Sequence, residues 1–337
     1  MPKLIISTQS NPYLNIAGEN YLLSQPSDGD ITLYLWQNRR TVVIGQNQNP
    51  YAECNVSLLE QDGGYLMRRR TGGGAVFHDM GNLNFSFIVP YELYDTLRQF
   101  SVLQRAVESY GIETMISGRN DVLAKINSQF STLNSQFKKF SGNAFAKGKY
   151  QRLHHGTILI RTDVSDLQRY LKVKPAKLQK HGVASVQSRV VNLSELVPEM
   201  TSQNIIPPLV EAFEQVYGKP LQKLDFENLA NNPSVRELAE QFASPEWKYG
   251  RWQQFKAQQS AQFDWGGVEI SIEVDEPSAT IRSITIASDS LFPDVIAQAE
   301  RLLTAASIHQ PPAVGHLPES EQQMLRDIFS LLYSTVL

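Results

Sequence analysis

The sequence predicts an α/β chain of the α+β kind, with a large N-terminal domain followed by a smaller α/β one. Three observations lead to this reading. Short β-branched and aromatic runs, ITLYLW (31–36), TVVIG (41–45) and NLNFSFIV (82–89), are interspersed with segments of helical apolar spacing such as YDTLRQFSVLQRAVESYGI (94–112). The pattern starts again after residue 252, where GVEISIEV (267–274) alternates strictly. At 337 residues and 42% hydrophobic content, the chain can fill one large core and a second small one.

Taken in order, YLNIAGENYLL (13–23) has helical spacing despite Gly18. ITLYLW and TVVIG, separated by the polar turn QNRR, read as a strand pair. PYAECNVSLLEQDG (50–63) reads as one short helix holding Cys54, with Pro50 near its start and Gly63 and Gly64 past its end. YLMRRR (65–70) is the next strand. AVFHD (75–79) and NLNFSFIV follow as two more, connected at Gly81 and Asn82. Gly111 is placed to end the helix of 94–112. The polar NSQFSTLNSQF (127–137) reads as a loop, GTILI (156–160) as a strand and IPPLVEAFEQVYG (206–218) as a helix. Beyond SPEWKYGRW (244–252), FDWGGVEISIEVD and TIRSITIA read as strands, and PDVIAQAERLLTAA and SEQQMLRDIFSLLYSTVL as helices. The expected domains are therefore 1–246 and 253–337, with a hinge near Glu246 to Trp252.

The charge balance of 31 basic to 34 acidic residues, net −3, argues against a protein that coats nucleic acid or an anionic membrane. The charge is unevenly spread. Val122 to Asn192 holds thirteen Lys and Arg against Asp163 and Asp166, so this segment is +11 and the remainder −14. The segment is either an ordinary solvated surface or the site of a focused anionic ligand. The single cysteine excludes an internal disulfide and fits a reducing, cytoplasmic compartment. No run of 18 apolar residues occurs and MPKLIISTQSNPYL lacks a leader-like core, so no membrane segment is expected.

RRRTGGGAVFHD (68–79) is the densest chemical signal. Side-chain-free glycines let backbone N–H groups approach an anion, so the loop either cradles phosphate or makes a plain hairpin or bulge. It is neither GxGxxG nor GxxxxGK[ST]. In a period-2 strand Arg68 and Arg70 share one face and Arg69 takes the other, so at least one arginine belongs to the surface or to an ion pair.

RRRTGGGAVFHDMGNLNFSF (68–87), SGRNDVL (117–123), KKFSGNAF (138–145) and HHGTILI (154–160) together resemble the lipoate-protein ligases of the long form. TVVIGQNQNPYAECN, GVASVQSRVVNLSEL and FDWGGVEISIEV follow in the order of that family. The resemblance implies a mixed-sheet biotinyl/lipoyl ligase-like catalytic domain with a C-terminal accessory domain. It also implies a two-step reaction: lipoate and ATP, with Mg²⁺, give lipoyl-AMP, and the acyl group then passes to a lysine of an apo lipoyl domain. The implied acceptors are 2-oxoacid dehydrogenase E2 subunits and the glycine cleavage H protein; the enzyme is expected to be a monomer without nucleic-acid or membrane partners.

Carried onto this chain, the pattern makes Arg69, with Arg68, a nucleotide contact and Gly73, Gly74, Ala75, Val76 and Phe77 the backbone cradle, with Asn82 beside them. Arg70 falls where the pattern varies. Lys139 is implied as the catalytic cation joining the lipoate carboxylate to the α-phosphate, with Lys138 its solvated neighbour. Asp121 is the candidate Mg²⁺ ligand, against a capping or structural role. Trp36, Val43 and His78 suit the lipoate pocket, against a plain core role. His154 and His155 lack further ligands at zinc-like spacing. A thioester-forming octanoyltransferase would need Cys54 as nucleophile, and a non-catalytic lipoyl-binding relative is the other alternative.

Overall fold

The strongest strand signals of the sequence lie side by side. Thr32–Trp36 and Asn82–Pro90 pair antiparallel inside an eight-stranded mixed sheet. The computed structural model describes residues 1–46, 48–118, 120–126, 137–172, 190–249, 254–275, 278–288, 290, 292–315 and 317–336. They form two compact units, Met1–Cys54 with Leu59–Ser244, and Asn55–Leu58 with Pro245–Leu337.

In chain order the first elements are β1 (Lys3–Ile6), α1 (Pro12–Ser24), β2 (Thr32–Trp36), β3 (Thr41–Ile44), α2 (Pro50–Glu53), α3 (Val56–Gln61), β4 (Tyr65–Arg68), β5 (Val76–His78) and β6 (Asn82–Pro90). Then come α4 (Thr96–Glu108), β7 (Thr114–Ser117), β8 (Asp121–Lys125), β9 (Phe137–Lys147), β10 (Gln151–Leu159), α5 (Val164–Tyr170), α6 (Ile206–Tyr217), β11 (Gln222–Leu224), α7 (Phe226–Ala230) and α8 (Pro233–Ala243). The large sheet runs β11-β1-β2-β6-β10-β9-β8-β7; β1 is parallel to β2 and β11, and the other pairs are antiparallel. A second sheet, β4-β3-β5, pairs β3 parallel to β4 and antiparallel to β5.

The strands give the large sheet two unlike faces. Leu33 and Leu35 of β2 and Leu83, Phe85 and Phe87 of β6 join Val102 and Leu103 of α4 and Phe213 of α6 in one core. Alternate residues point the other way, and there Tyr34, Trp36, Asn82, Asn84 and Ser86 are buried although several are polar. The helix α1 contributes buried Asn15 and Glu19. Its start is fixed by Asn11, whose side chain accepts from the Tyr13 and Leu14 amides ahead of Pro12.

Several local expectations are corrected. β2 and β3 are both strands but lie in different sheets, because the QNRR linker carries the chain across instead of folding it back as a hairpin. β5 and β6 are separated in the same way, and Asn82 is the first residue of β6 rather than part of the turn. The helix expected over 50–63 breaks at Cys54, which is extended and bridges Leu171. GTILI is the end of a longer strand, β10, that pairs with β9 and β6. The expected loop at 127–137 falls outside the described residues except for Phe137, which opens β9.

In the second unit α9 (Pro245–Tyr249) precedes an antiparallel sheet of β12 (Gln254–Phe263), β13 (Gly266–Asp275) and β14 (Thr280–Ser288). Helices α10 (Pro293–Leu303) and α11 (Glu319–Val336) complete its core around Ile270, Ile272, Ala299, Leu325 and Ile328. Two strands were expected here and three are present, since QFKAQQSAQF alternates small and polar residues too weakly to read as a strand. The hinge expected at 246–252 overlaps α9, and residues 250–253 lie outside the described residues.

Candidate functional site

On the polar face of the large sheet, one row of residues crosses five strands. Trp36 pairs with Asn84, Asn84 with Thr157, the Gly142 amide donates to Thr157 Oγ1 at 3.3 Å, and Gly142 pairs with Asp121. Four strand spacings separate the ends, about 19 Å. An apolar side chain and a charged pair therefore stand at opposite ends of one track, buried at Trp36 and Asn84 and half-buried from Thr157 to Asp121.

At the charged end, Lys139 Nζ meets Asp121 Oδ1 at 2.7 Å, with the two side chains 34% and 35% exposed. The backbone explains how Lys139 reaches there. The β8–β9 register shifts between Val122 and Leu123, so Phe140 enters the core while Lys139 lies over Gly142. A Cβ on Gly142 would sit 2.8 Å from Lys139 Nζ and 2.9 Å from Cε, so this glycine vacates the space the lysine occupies. Asn120 and Asn143 brace the corner by exchanging side-chain amide donors for backbone carbonyls at 3.0 Å each way. Lys138, paired with Ala124, is half-buried.

The three arginines separate by environment. β4 ends at Arg68, so strict alternation stops there and both Arg68 and Arg69 are buried, whereas Arg70 is exposed with its guanidinium 5.5 Å from the Phe242 ring centroid. Arg68 Nη1 donates to the carbonyls of Gln46 and Gln48 at 3.0 and 2.8 Å and braces the turn after β3. Arg69 Nη1 donates to Val43 O at 3.1 Å, and its Nη2 to Gly72 O and Gly74 O at 2.8 and 2.7 Å. Arg69 thus ties the glycine loop to β3. Burial pushes its pKa down to about 10 against the opposing pull of Glu19, which leaves it cationic at neutral pH. Gly73 has φ +96, and a Cβ there would approach Arg69 Nη2 at 2.9 Å, so both backbone and packing require glycine.

Beyond Arg69 lies a buried polar wall that the sequence reading missed. Arg69 Nε meets Thr71 Oγ1 at 2.9 Å, Thr71 meets His155 Nε2 at 3.0 Å, and His155 Nδ1 meets Glu19 Oε2 at 2.8 Å. Ser86 donates to the same carboxylate oxygen at 2.5 Å and accepts from Trp36 Nε1 at 3.0 Å. Glu19 is only 2% exposed, so these bonds offset the desolvation of its charge. One signal was available in the sequence: N-L-N-F-S-F puts three polar residues on a single strand face.

His78 packs edge-on to Trp36 at 5.9 Å and faces Asn38 Nδ2 through Nδ1 at 3.3 Å. Burial, then the nearby charges of Arg69 and His155, lower its pKa to about 3. Asn38 Oδ1 already accepts from Asn15, so Asn38 presents its amine to His78 and the His78 proton resides on Nε2. His78 Nε2 and Asn82 Oδ1 are buried without a partner among the described residues. Both expected roles of Trp36 and Val43 rest on side chains that are almost wholly buried, and Phe77 turns its ring to Tyr170 in the interior. Gly74, Ala75 and Val76 form the outer, less buried part of the loop.

Cys54 is 1% exposed, and burial, partly offset by Lys172, pushes its thiol up to about 12. Such a thiol supplies no thiolate at neutral pH. His154 is held between Gln99 and Asn143, each at 2.9 Å. Among the described residues no three His, Cys, Asp or Glu side chains gather to hold a metal, and no helix is long and apolar enough to cross a membrane.

Comparison with known proteins bears on the whole arrangement. The family model for the lipoyl protein ligase A/B catalytic domain matches residues 11–214, and that for the bacterial lipoate protein ligase C-terminus matches 253–310. Lipoate-protein ligase A of Psychrobacter cryohalolentis is 34% identical over 301 residues, and that of Bdellovibrio bacteriovorus 37% over 296, each alignment covering 87% of this chain and 85% of the relative. Among solved structures, P. falciparum LipL1 in complex with lipoate superposes with TM-score 0.62 at 27% identity, over 99% of this chain and 100% of that one. Lipoate-protein ligase A bound with ATP superposes with TM-score 0.60 at 26% identity, over 74% and 98%. The bi-partite lipoate protein ligase of Thermoplasma acidophilum, studied with its E2 lipoyl domain, gives TM-score 0.63 at 26% identity, over 74% and 96%. With the catalytic-domain model spanning the units of sheet that carry the glycine loop, Lys139 and Asp121, the chain belongs to the lipoate-protein ligase family of enzymes.

Proposed function

We propose that the chain activates free lipoate with ATP, giving enzyme-held lipoyl-AMP and pyrophosphate, and then passes the lipoyl group to a lysine amine of a lipoyl domain with release of AMP. The observation that carries this reading is the ammonium of Lys139, held by Asp121 over the vacant space at Gly142, at one end of a track that closes on Trp36. Attack of a carboxylate on the α-phosphate brings two anions together. A cation between them stabilises the transition state more than the separated reactants. Lys139 fills that role without becoming a covalent nucleophile.

In this reading Trp36, Val43 and His78 enclose the acyl chain, and Asn82 Oδ1 is an acceptor open to the bound ligand. Arg69 and Arg68 shape the nucleotide-facing loop, whose Gly73 to Phe77 backbone receives the adenylate. Asp121 is a single, half-exposed carboxylate, which fits Mg²⁺ carried mainly by nucleotide phosphates and water; the ion would neutralise phosphate charge. The buried Cys54 thiol argues against a thioester route. The N-terminal residues 1–246 would perform both half-reactions and 253–337 would serve as the accessory domain. The acceptors would be E2 lipoyl domains and the glycine cleavage H protein, in the cytoplasm.

The test is direct: incubation with lipoate, ATP and Mg²⁺ forms lipoyl-AMP and pyrophosphate, and adding an apo lipoyl domain consumes the adenylate. Lys139→Ala lowers adenylate formation by about a hundredfold or more, the usual scale for a removed oxyanion-stabilising group. Normal adenylation by that variant would sink the mechanism.

A further inference from the structure

Trp36, Ser86, Glu19, His155, Thr71 and Arg69 form one continuous hydrogen-bonded chain. The Glu19 carboxylate only accepts, so both Ser86 Oγ–H, at 2.5 Å, and His155 Nδ1–H, at 2.8 Å, donate to it. On the far side of the ring, His155 Nε2 lies 3.0 Å from the Thr71 hydroxyl. Thr71 in turn accepts from Arg69 Nε–H at 2.9 Å, and Trp36 Nε1–H donates to Ser86 at 3.0 Å. The links are continuous from Trp36 to Arg69, so a change at one bears on its neighbours.

The two ends of this chain belong to different parts of the site. Trp36 lines the proposed acyl pocket, whereas Arg69 holds Gly72 O and Gly74 O and thereby the shape of the glycine loop. We infer that the relay is a positioning device that couples occupation of the acyl pocket to order in the glycine loop, with Thr71 as its critical link. Lipoate packed on Trp36 steadies Ser86 and Glu19, and through His155 and Thr71 holds Arg69 on the loop carbonyls before nucleotide arrives. The identity of the two ligands rests on the ligase reading; the mechanical link between wall and loop does not.

Hydrogen exchange followed by mass spectrometry on the full chain tests both parts, with lipoate alone as the probe. In the wild type, lipoate is expected to slow exchange of the 72–77 amides several-fold. Thr71→Val keeps the shape and removes both hydrogen bonds; its loop is expected to exchange about tenfold faster without ligand, the scale of one or two lost bonds. Lipoate binding measured separately by calorimetry should stay within about threefold of wild type, yet lipoate should no longer protect the loop. Thr71→Ser restores wild-type behaviour, and Glu19→Leu, which removes the acceptor shared by Ser86 and His155, loosens the loop as Thr71→Val does. The relay is overturned if the Thr71→Val loop exchanges at the wild-type rate, or if lipoate still protects it. If lipoate fails to bind the wild type, the ligase reading fails instead, and the ligand-free comparison of Thr71→Val with wild type still decides the relay.

Discussion

Lys139 owes its position to a carboxylate in front of it and to a side chain missing beneath it. Gly142→Ala therefore separates stability from function. The atoms a new Cβ would meet, at 2.8 and 2.9 Å, are the far end of a flexible side chain that can swing away with little strain. Folding stability should change by less than about 1 kcal/mol. The displaced ammonium, however, no longer spans carboxylate and phosphate, and misplacement on this scale costs about 10- to 100-fold in rate. Pyrophosphate release should fall accordingly while the thermal midpoint holds. An unchanged rate would show that Lys139 works from another position. Arg69 is the opposite case, since its donors serve the Val43, Gly72 and Gly74 carbonyls, and its loss would disturb the loop as a whole.

At the scale of elements, β5 and β10 each bury a neutral histidine. Burial lowers both His78 and His154 to about 3, and the charges of Arg69 and His155 act on His78 in the same direction. Below the ordinary histidine value the unfolded chain takes up protons that the folded chain refuses. Stability is thus untouched above about pH 6.5 and falls as pH drops toward 3, by roughly 1.4 kcal/mol per pH unit for each histidine. Urea unfolding at about pH 7, 6 and 5 should show this slope, and His154→Gln, held by the same Gln99 and Asn143 amides, should remove about half of it. A stability flat over that range would contradict the burial argument. The same elements mark what the sequence could reveal. β-branched and aromatic runs exposed β2 and β6, strict alternation β13 and helical apolar spacing α4, each of which feeds an apolar core. Partnership between strands stayed hidden: β2 and β3 look like a hairpin locally, and only long-range pairing with β6 and β4 separates them. At the site, the motifs pointed to Lys139, Asp121 and the glycine loop; Thr71, Ser86 and His155 lie in the same blocks without having been read as a connected wall, and Glu19 lies outside them. Their signal is a polar strand face that ought to meet water and instead lies buried. A sequence shows the alternation and not the covering.

For the whole molecule, the segment from Val122 to Asn192 carries a charge of +11, and its described cations do not all lie together. Lys147, Lys149 and Arg152 lie at the β9–β10 turn, with Lys149 5.0 Å from the Tyr150 ring centroid and Arg152 within reach of the Tyr91 and Tyr94 rings. Lys139 is near the opposite end of β9, and eight residues of strand put it about 26 Å from that turn. A second group, Lys174, Lys177, Lys180 and Arg189, lies in residues 173–189, outside the described residues and without a single acid. Lys172, the last described residue before that segment, donates from Nζ to Tyr51 O at 3.0 Å. Val190, the first described residue after it, bridges Lys139, and the Val191 amide donates to Lys139 O at 2.9 Å. The described residue that follows this segment thus bridges Lys139, while the turn cations are remote from it. If the acceptor lipoyl domain presents an acidic rim, the acid-free group at 174–189 should steer it. Neutralising Lys174, Lys177 and Lys180 together with glutamine should raise the KM for the lipoyl domain about tenfold at low salt. The same variant should flatten the loss of transfer that the wild type shows on going to about 0.3 M salt, where screening shortens the reach of such charges to a few ångströms. Pyrophosphate release without acceptor provides the reference rate in each case. Lys147→Gln with Lys149→Gln should leave the salt dependence as it is in the wild type; the reverse pattern would move acceptor docking to the β9–β10 turn.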